Sequence, residues 1–147
     1  MNQLDMKGRV AVVTGGAQGI GYAISERMLR SGAQVVIWDI DAVRTNEAVA
    51  SLSALGPTSG HVVELTDDAA VAAATAAAVA AQGKVDILVN NAGITGGNGT
   101  TWELDPVVWR RVIEVNLIAP YLTCRHLAPV MAGNGWGRIV NIASVAG

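Results

Sequence analysis

A glycine-rich run between an apolar segment and a helical pattern is the first feature of this 147-residue chain that points to chemistry. It spans Thr14–Gly21, and its glycines at 15, 19 and 21 depart from the usual Gly-x-Gly-x-x-Gly pattern, with three residues in the first gap and one in the second. A phosphate approaches a helix N-terminus closely only where Cβ atoms are missing, and the free N–H groups and the helix dipole then bind it. We expect Gly15 to make the tight turn, Gly19 to open the approach and Gly21 to let helix and strand pack closely. A purely structural turn is the alternative, and the position between a strand and a helix argues against it.

An acidic residue follows this run at the distance expected of a ribose ligand. Asp39 ends the second apolar segment, 18 residues after Gly21, close to the roughly 20 residues typical of such an acid. A carboxylate there accepts hydrogen bonds from both adenosine ribose hydroxyls and repels a 2′-phosphate. Gln18 and Ile40 flank the region and have no charge to neutralise an added phosphate. These residues predict NAD rather than NADP, with a helix N-cap or a solvated strand end as alternative roles for Asp39.

Short apolar segments alternate with longer helical patterns along the chain. This alternation predicts right-handed βαβ connections and a parallel sheet covered by helices on both faces, in one α/β domain over residues 1–147. The predicted strands are Arg9–Thr14, Gln34–Asp39, His61–Leu65, Asp86–Asn90 and Arg138–Ala143. The predicted helices are Ile20–Arg30, Ala42–Leu55, the alanine-rich segment from Asp67 to Gln82, and Pro106–Met131.

Composition narrows the classes of function. Hydrophobic residues make up 51% of the chain and charged residues 15%, which argues against intrinsic disorder. A formal net charge of −2 leaves no basic surface for a nucleic acid or an anionic membrane. The single cysteine, Cys124, argues against a disulfide framework and a multi-thiolate site, and we expect no metal. Because we find neither a membrane-spanning stretch nor a secretory signal, we expect a cytoplasmic protein.

Four motifs, in order along the chain, resemble those of the short-chain dehydrogenase/reductase family. They are the glycine run Thr14–Gly21, Asn-Asn-Ala-Gly at Asn90–Gly93, Asn116 within Glu-Val-Asn-Leu, and Ile-Val-Asn-Ile-Ala-Ser-Val-Ala-Gly at Ile139–Gly147. Each motif stands at the expected end of its strand or helix. The resemblance implies a Rossmann-type doubly wound parallel sheet, with the first five of the family's seven strands present and in the order 3-2-1-4-5.

The resemblance also implies roles for individual residues. Ser144 matches the serine that hydrogen-bonds the substrate oxygen, and it stands at the sheet edge where ligands bind. Asn116 matches the helix asparagine that holds a water in the family's proton relay. Asn91 would contact the cofactor or, with Asn90, tie neighbouring strands together. Glu64 is one methylene longer than the aspartate usual at its adenine-contacting position. The implied cofactor-binding residues are Gly15, Gln18, Gly19, Ile20, Asp39, Ile40, Glu64, Leu65, Asn91, Ala92 and Gly93.

The activity implied by the resemblance is hydride transfer between NAD(H) and a small secondary alcohol or ketone, such as a sugar, a sugar acid or a polyol. A 3-oxoacyl thioester reductase of the same family is the alternative. Asp39 disfavours that alternative, because those reductases commonly use NADPH. The resemblance further implies a homo-oligomer, a tetramer or a dimer, with the helix Pro106–Met131 at its interface.

The family's proton-transfer motif, Tyr-x-x-x-Lys, has no counterpart within these 147 residues. Tyr22 and Tyr121 are followed four positions later by Glu26 and Arg125. Either the chain is the leading part of a longer enzyme, or it ends at Gly147 as a non-catalytic, NAD-binding fragment. We expect a longer enzyme. A fragment that ends at Gly147 should be inactive, because general acid–base catalysis contributes about 10²–10⁴-fold to the rate.

Overall fold

The computed structural model describes residues 4–145, which contain a five-stranded parallel sheet. Its strands are β1 (Val10–Thr14), β2 (Gln34–Asp39), β3 (Thr58–Val62), β4 (Ile87–Asn90) and β5 (Arg138–Asn141). They lie side by side in the order β3-β2-β1-β4-β5, which confirms the predicted Rossmann-type α/β fold and its strand order. Both ends of the predicted domain 1–147, including Ala146 and Gly147 of the last motif, lie outside the described residues.

The helices follow the strands in alternation. They are α1 (Gly19–Arg30), α2 (Ala42–Leu52), α3 (Asp68–Gln82), α4 (Pro106–Ile113) and α5 (Ala119–Gly133). The side chains of Asp41, Asp67 and Asp105 cap α2, α3 and α4 by accepting backbone N–H groups of the first turn. Each such cap stabilises its helix by about 1 kcal/mol. The helix α2 ends at Leu52, three residues before the predicted Leu55.

Each face of the sheet has its own apolar core. Val12 of β1 packs in a cluster with Val71 of α3 and Leu127 of α5. Its neighbour Val13 points to the opposite face and packs in a second cluster with Leu29 of α1. Successive residues of a strand alternate between faces, so a strand that is apolar throughout requires helices on both sides.

The strand β3 lies three residues earlier than the predicted His61–Leu65. It forms an edge of the described sheet and is only partly buried, so no apolar run marks it in the sequence. Gly60 lies under α2, where a Cβ atom would come within 2.5 Å of the Thr45 Cγ2 atom, and close packing of the helix therefore requires glycine. As a consequence, Glu64 and Leu65 follow the strand instead of ending it.

The predicted helix Pro106–Met131 is interrupted by a π-helical turn. This turn, Glu114–Ile118, separates α4 from α5. Pro120, in the first turn of α5, has no N–H to give to the carbonyl of Asn116 four positions earlier. A helix that lacks this bond bulges more easily, and π-helical turns are frequent at functional sites.

Within residues 4–145, no helix is both long and apolar enough to cross a membrane. In the same range, no group of three or more His, Cys, Asp and Glu side chains is placed to hold a metal ion. Cys124 is partly buried in α5, and its Sγ lies 3.6 Å from the Asn90 Nδ2 atom.

Candidate functional site

The glycine run connects β1 to α1 at the carboxyl end of the sheet. Gly15 has a φ of +61° and Gly19 a φ of +54°, both in the left-handed region that favours glycine. A Cβ atom at Gly21 would stand 2.1 Å from the Gly15 carbonyl oxygen, so helix and strand pack as closely as predicted. A Cβ atom at Gly19 would meet no atom within 4 Å, which leaves open space beside the first turn of α1.

The first turn of α1 has no side-chain cap. Its N-cap residue is Gln18, whose side chain makes no capping bond, and the turn contains no acidic residue. The N–H groups at an uncapped helix N-terminus carry partial positive charge and bind anions. Together with the open space at Gly19, this set of donors fits a diphosphate group.

Asp39 ends β2 beside the glycine run, and only 9% of its surface is exposed. Its Oδ2 accepts the Ala17 N–H at 3.2 Å, and its Oδ1 accepts the Asp41 N–H at 3.2 Å. The two alternative roles considered for Asp39 are therefore wrong, because Asp41 caps α2 and Asp39 is buried. A carboxylate oxygen has two lone pairs, so each oxygen of Asp39 can also accept a bond from a ribose hydroxyl.

A cavity of about 200 Å³ opens beside the ends of β2, β3 and β4. We call it the adenosine-side cavity. Eight predicted cofactor-binding residues line it: Gly15, Gln18, Asp39, Ile40, Glu64, Leu65, Ala92 and Gly93. Further lining residues are Val63, Thr66, Ile94, Arg111 and Val115. Apolar walls with a few polar groups are typical of a pocket that binds an aromatic ligand.

Glu64 is held by two side chains that sequence reasoning missed. Its Oε1 accepts bonds from the Thr66 N–H at 3.1 Å and the Thr66 hydroxyl at 2.7 Å, and its Oε2 accepts a bond from Arg111 Nη2 at 3.0 Å. Partial burial opposes ionisation, but the bonds from Thr66 and Arg111 outweigh it and hold the pKa of Glu64 below its ordinary value. Arg111 comes from α4, 47 positions along the chain, and no local pattern connects it to Glu64.

Thr14 fastens the segment after β4 to the end of β1. Its Oγ1 accepts the N–H groups of Asn91 and Ala92, each at 3.0 Å, and donates to the Val89 carbonyl at 3.3 Å. The Asn91 Nδ2 donates to the carbonyls of Thr14 and Gly15 at 3.0 and 3.2 Å. The Asn91 side chain therefore holds the glycine run in place, and sequence reasoning had given Thr14 no role.

Asn90 makes the corresponding tie between β4 and β5. Its Nδ2 donates to Asn141 Oδ1 at 2.8 Å, and its Oδ1 accepts the Thr123 hydroxyl at 2.6 Å. These bonds, with those of Asn91, confirm that the asparagine pair ties neighbouring strands together. Buried amides with both ends bonded make the strand spacing at this edge rigid.

A larger cavity, of about 1260 Å³, adjoins the adenosine-side cavity and shares Ala92, Gly93 and Ile94 with it. Besides these shared residues, it brings the two predicted catalytic residues to one surface with two further predicted cofactor-binding residues. These four lining residues are Ile20, Asn91, Asn116 and Ser144. Two adjoining cavities at the carboxyl edge of the sheet suit a ligand with two halves.

The Asn116 side chain is bound to the backbone of Ile94. Its Oδ1 accepts the Ile94 N–H at 2.9 Å, and its Nδ2 donates to the Ile94 carbonyl at 2.9 Å. This pair of bonds anchors the π-helical turn to the segment after β4. Because Pro120 supplies no N–H, the backbone carbonyl of Asn116 lacks its α-helical donor and has capacity to accept another bond.

Arg44 is a cation near the predicted ribose site that sequence reasoning missed. Its Nη1 donates to Gln18 Oε1, and its Nε lies 3.5 Å from Asp41 Oδ2. Arg44 stands in the first turn of α2, five residues after Asp39. This short distance along the chain is a signal from which the sequence alone could have identified it. Gln18 and Ile40 themselves carry no charge. The Arg44 guanidinium nevertheless places a positive charge beside Gln18, and the Asp41 carboxylate partly balances it.

The comparisons with known proteins place the chain in one family. Residues 9–147 match the family model described as short chain dehydrogenase. A relative from Sphingomonas sp. (strain SKA58), a 2-dehydro-3-deoxy-L-rhamnonate dehydrogenase (NAD(+)), is 44% identical over 142 residues. The match covers 95% of this chain and 55% of that protein, so the chain spans little more than half the length of this relative.

Solved structures agree in fold. An NAD+-bound xylitol dehydrogenase has a TM-score of 0.95 and 28% identity, over 98% of this chain and 56% of that chain. A metagenomic short-chain oxidoreductase in complex with NADP has a TM-score of 0.90 and 38% identity, over 95% of this chain and 64% of that chain. These neighbours bind different nicotinamide dinucleotides, so the choice between the two cofactors depends on individual side chains.

Proposed function

The chain belongs to the short-chain dehydrogenase family, and we propose that it binds NAD(H) for hydride transfer between this cofactor and a secondary alcohol or ketone. The observation that carries the proposal is the meeting of three features at one cavity: the glycine run, the uncapped N-terminus of α1 and the buried carboxylate of Asp39. In a Rossmann-type sheet the diphosphate binds at the N-terminus of the first helix, and the adenosine ribose binds the acid at the end of the second strand, so both groups are needed at one edge of the sheet.

In this proposal the cofactor lies across both cavities. Gly15, Gln18, Gly19 and Ile20 hold the diphosphate and the adjoining ribose, and Asp39 accepts the ribose hydroxyls. The adenine lies among Ile40, Glu64 and Leu65, while Asn91, Ala92 and Gly93 border the path to the second cavity. NAD is the preferred cofactor because a 2′-phosphate would face the Asp39 carboxylate. The Arg44 guanidinium does not reverse this preference, because Asp41 already pairs with it.

The chemistry assigned to this chain's own residues is positioning and charge stabilisation. NAD(H), when bound, supplies the hydride acceptor or donor. Ser144 hydrogen-bonds the substrate oxygen and stabilises the charge that develops on it. Asn116 holds a water at its backbone carbonyl, while its side chain keeps the π-helical turn against Ile94. The Tyr-x-x-x-Lys motif, which moves the proton in the family, is not among the 147 residues.

A sugar, a sugar acid or a polyol is the proposed substrate class. The relative from Sphingomonas is named for a sugar acid, and one structural neighbour is named for xylitol, a polyol. The polar segment Thr95–Thr101, which begins at the larger cavity, agrees with a hydroxylated substrate. An acyl thioester remains the alternative to be tested beside it.

Two measurements on the purified protein test the proposal. Isothermal titration with NAD, NADP and S-adenosylmethionine should show NAD as the tightest ligand; binding of S-adenosylmethionine alone would overturn the proposal. NADH absorbance is then followed with a panel of sugars, sugar acids, polyols and acyl thioesters, and turnover only of the thioesters would replace the substrate class. The intact mass of the same sample distinguishes a longer enzyme, with a mass above 15.1 kDa, from an NAD-binding chain of these 147 residues.

The proposal includes a homo-oligomer formed through the segment Pro106–Met131. Trp109, Leu117 and Tyr121 on this segment are each more than half exposed. Large apolar side chains in an exposed group support association with another surface. Sedimentation velocity should show a dimer or tetramer, and replacement of Leu117 by Asp should shift the protein toward the monomer.

A further inference from the structure

Arg111 stands at the adenosine-side cavity without a role in the family motifs. It lines that cavity together with Ile40, Glu64 and Leu65. We propose that Arg111 is a cofactor-positioning residue whose guanidinium forms one wall of the adenine subsite and packs on the face of the adenine ring. This inference rests on the proposed function, because it requires that NAD(H) binds here.

The guanidinium of Arg111 is held in place before any ligand arrives. Its Nη2 donates to Glu64 Oε2 at 3.0 Å, and its Nη1 donates to Thr66 Oγ1 at 3.1 Å. Two bonds from separate nitrogens restrict both the position and the tilt of a planar group. A side chain fixed in this way loses little conformational entropy when a ring packs against it.

The charge of Arg111 is already paired, which directs its role toward the ring and away from the diphosphate. The partner is the Glu64 carboxylate, whose pKa is lowered by Thr66 and Arg111 against the opposing effect of burial. A guanidinium above an aromatic ring is attracted by the π electrons of the ring. A carboxylate bonded to the N–H groups at the edge of the guanidinium leaves its flat face available for this contact.

Aliphatic side chains line the same cavity as Arg111. Leu65 is 8% exposed, whereas Ile40 is 61% exposed and leaves aliphatic surface that a ligand could cover. A planar base between Ile40 and Arg111 would cover the aliphatic surface and contact the guanidinium at once. The lining of the cavity therefore offers the ring both aliphatic and cationic surface.

A simpler role is possible for Arg111, namely that its ion pair with Glu64 only ties α4 to the segment after β3. The variants R111A and R111K separate the two roles. Lysine retains the positive charge and the ion pair with Glu64, but it has no planar group to stack on adenine. R110A is the matched control, because Arg110 is an exposed arginine one position earlier on α4 and does not line the cavity.

The experiment measures dissociation constants for NADH and for ADP-ribose, which carries adenosine but no nicotinamide, on the full-length protein and its three variants. We expect R111A and R111K each to weaken both ligands by about tenfold, and R110A to leave both unchanged. Thermal unfolding and circular dichroism are measured to check that each variant is folded. Hydrogen exchange over 106–113 shows whether R111K keeps α4 as protected as in the wild type.

The outcomes separate this inference from the proposed function. If R111K binds both ligands as tightly as the wild type, the ion pair suffices and the stacking role is overturned. The inference is also overturned if R111A binds as the wild type does, while the proposed function stands. If the wild-type protein binds neither NADH nor ADP-ribose, both are overturned.

Discussion

The Asp39 carboxylate accepts the Ala17 N–H at 3.2 Å, and this bond joins the end of β2 to the glycine run between β1 and α1. The group proposed to bind the ribose is thus oriented by the loop proposed to bind the diphosphate. The second oxygen is oriented in the same way by the Asp41 N–H. Preorganised acceptors of this kind bind a ligand without paying for their own ordering.

Replacement of Asp39 by Ser should change the preferred cofactor. A hydrogen bond to a charged group contributes about 1.5–3 kcal/mol, so the affinity for NAD should fall by roughly 10- to 100-fold. The affinity for NADP should rise, because the carboxylate no longer repels its 2′-phosphate. Isothermal titration with both cofactors measures the ratio. Glu47→Gln, which removes an exposed carboxylate on α2, is the control and should leave the ratio unchanged.

Replacement of Ser144 by Ala should remove turnover but not cofactor binding. Loss of one hydrogen-bond donor to a developing oxyanion costs about 10²- to 10³-fold in kcat. The dissociation constant for NAD should stay the same, since Ser144 is assigned to the substrate. Stopped-flow absorbance and titration give the two quantities. Ser53→Ala, at the end of α2, serves as the control, and equal kcat in the two variants would contradict the role of Ser144.

Replacement of Gly21 by Ala should destabilise the fold. The new Cβ would lie 2.1 Å from the Gly15 carbonyl oxygen and 2.5 Å from Asn91 Nδ2, so α1 has to move away from β1. Overpacking of this kind costs about 1–3 kcal/mol of the free energy of unfolding. Urea titration measures the loss. Gly133→Ala is the matched control, because a Cβ there meets no atom within 4 Å and alanine favours the helix.

Protonation of Asp86 in acid should lower the free energy of unfolding of the protein. Burial alone would raise the pKa of Asp86, but bonds from the Val10 N–H, Lys84 and Arg9 outweigh it, so the pKa lies below its ordinary value. The unfolded state therefore binds the proton more readily than the folded state, and this contribution to stability rises with pH. It is complete above the ordinary aspartate value of about 3.9 and is lost as the pH falls through the lower folded value.

Urea unfolding at several pH values between about 2 and 7 tests this dependence. We expect Asp86→Asn to lower the free energy of unfolding at neutral pH and to flatten its decline in acid. Asp5→Asn removes an exposed carboxylate near the same end of β1 and should keep the wild-type slope. A wild-type slope in the Asp86 variant would assign the acid sensitivity to other groups.

The elements that carry short-range signals were predicted well. The strands β1, β2 and β4 are apolar runs, and α1 and α3 are bounded by glycines and an aspartate cap, so their bounds agree with the prediction to within a residue. The strand β3 was misplaced because Thr-Ser-Gly-His, at the sheet edge, has neither an apolar run nor a strand-like alternation. Its identity as a strand depends on pairing with β2 and on the close approach of α2 to Gly60.

The candidate site divides in the same way. The glycine run and Asp39 were predictable because backbone freedom and carboxylate chemistry are properties of single residues at a short spacing. Thr14 was not, because its bonds to Asn91 and Ala92 span 77 and 78 positions along the chain. The contact of Arg111 with Glu64 likewise exists only because α4 is brought against the segment after β3.

By itself, the amino-acid sequence determined the alternation of strands and helices, the glycines at the turn and the acid at the end of β2, because each follows from local periodicity or backbone conformation. Only the tertiary structure decided where β3 begins, that the Asn116 amide is committed to Ile94, and that Arg111 faces the adenosine-side cavity. Those features depend on which distant side chains packing brings within bonding distance, and no spacing along the chain encodes that.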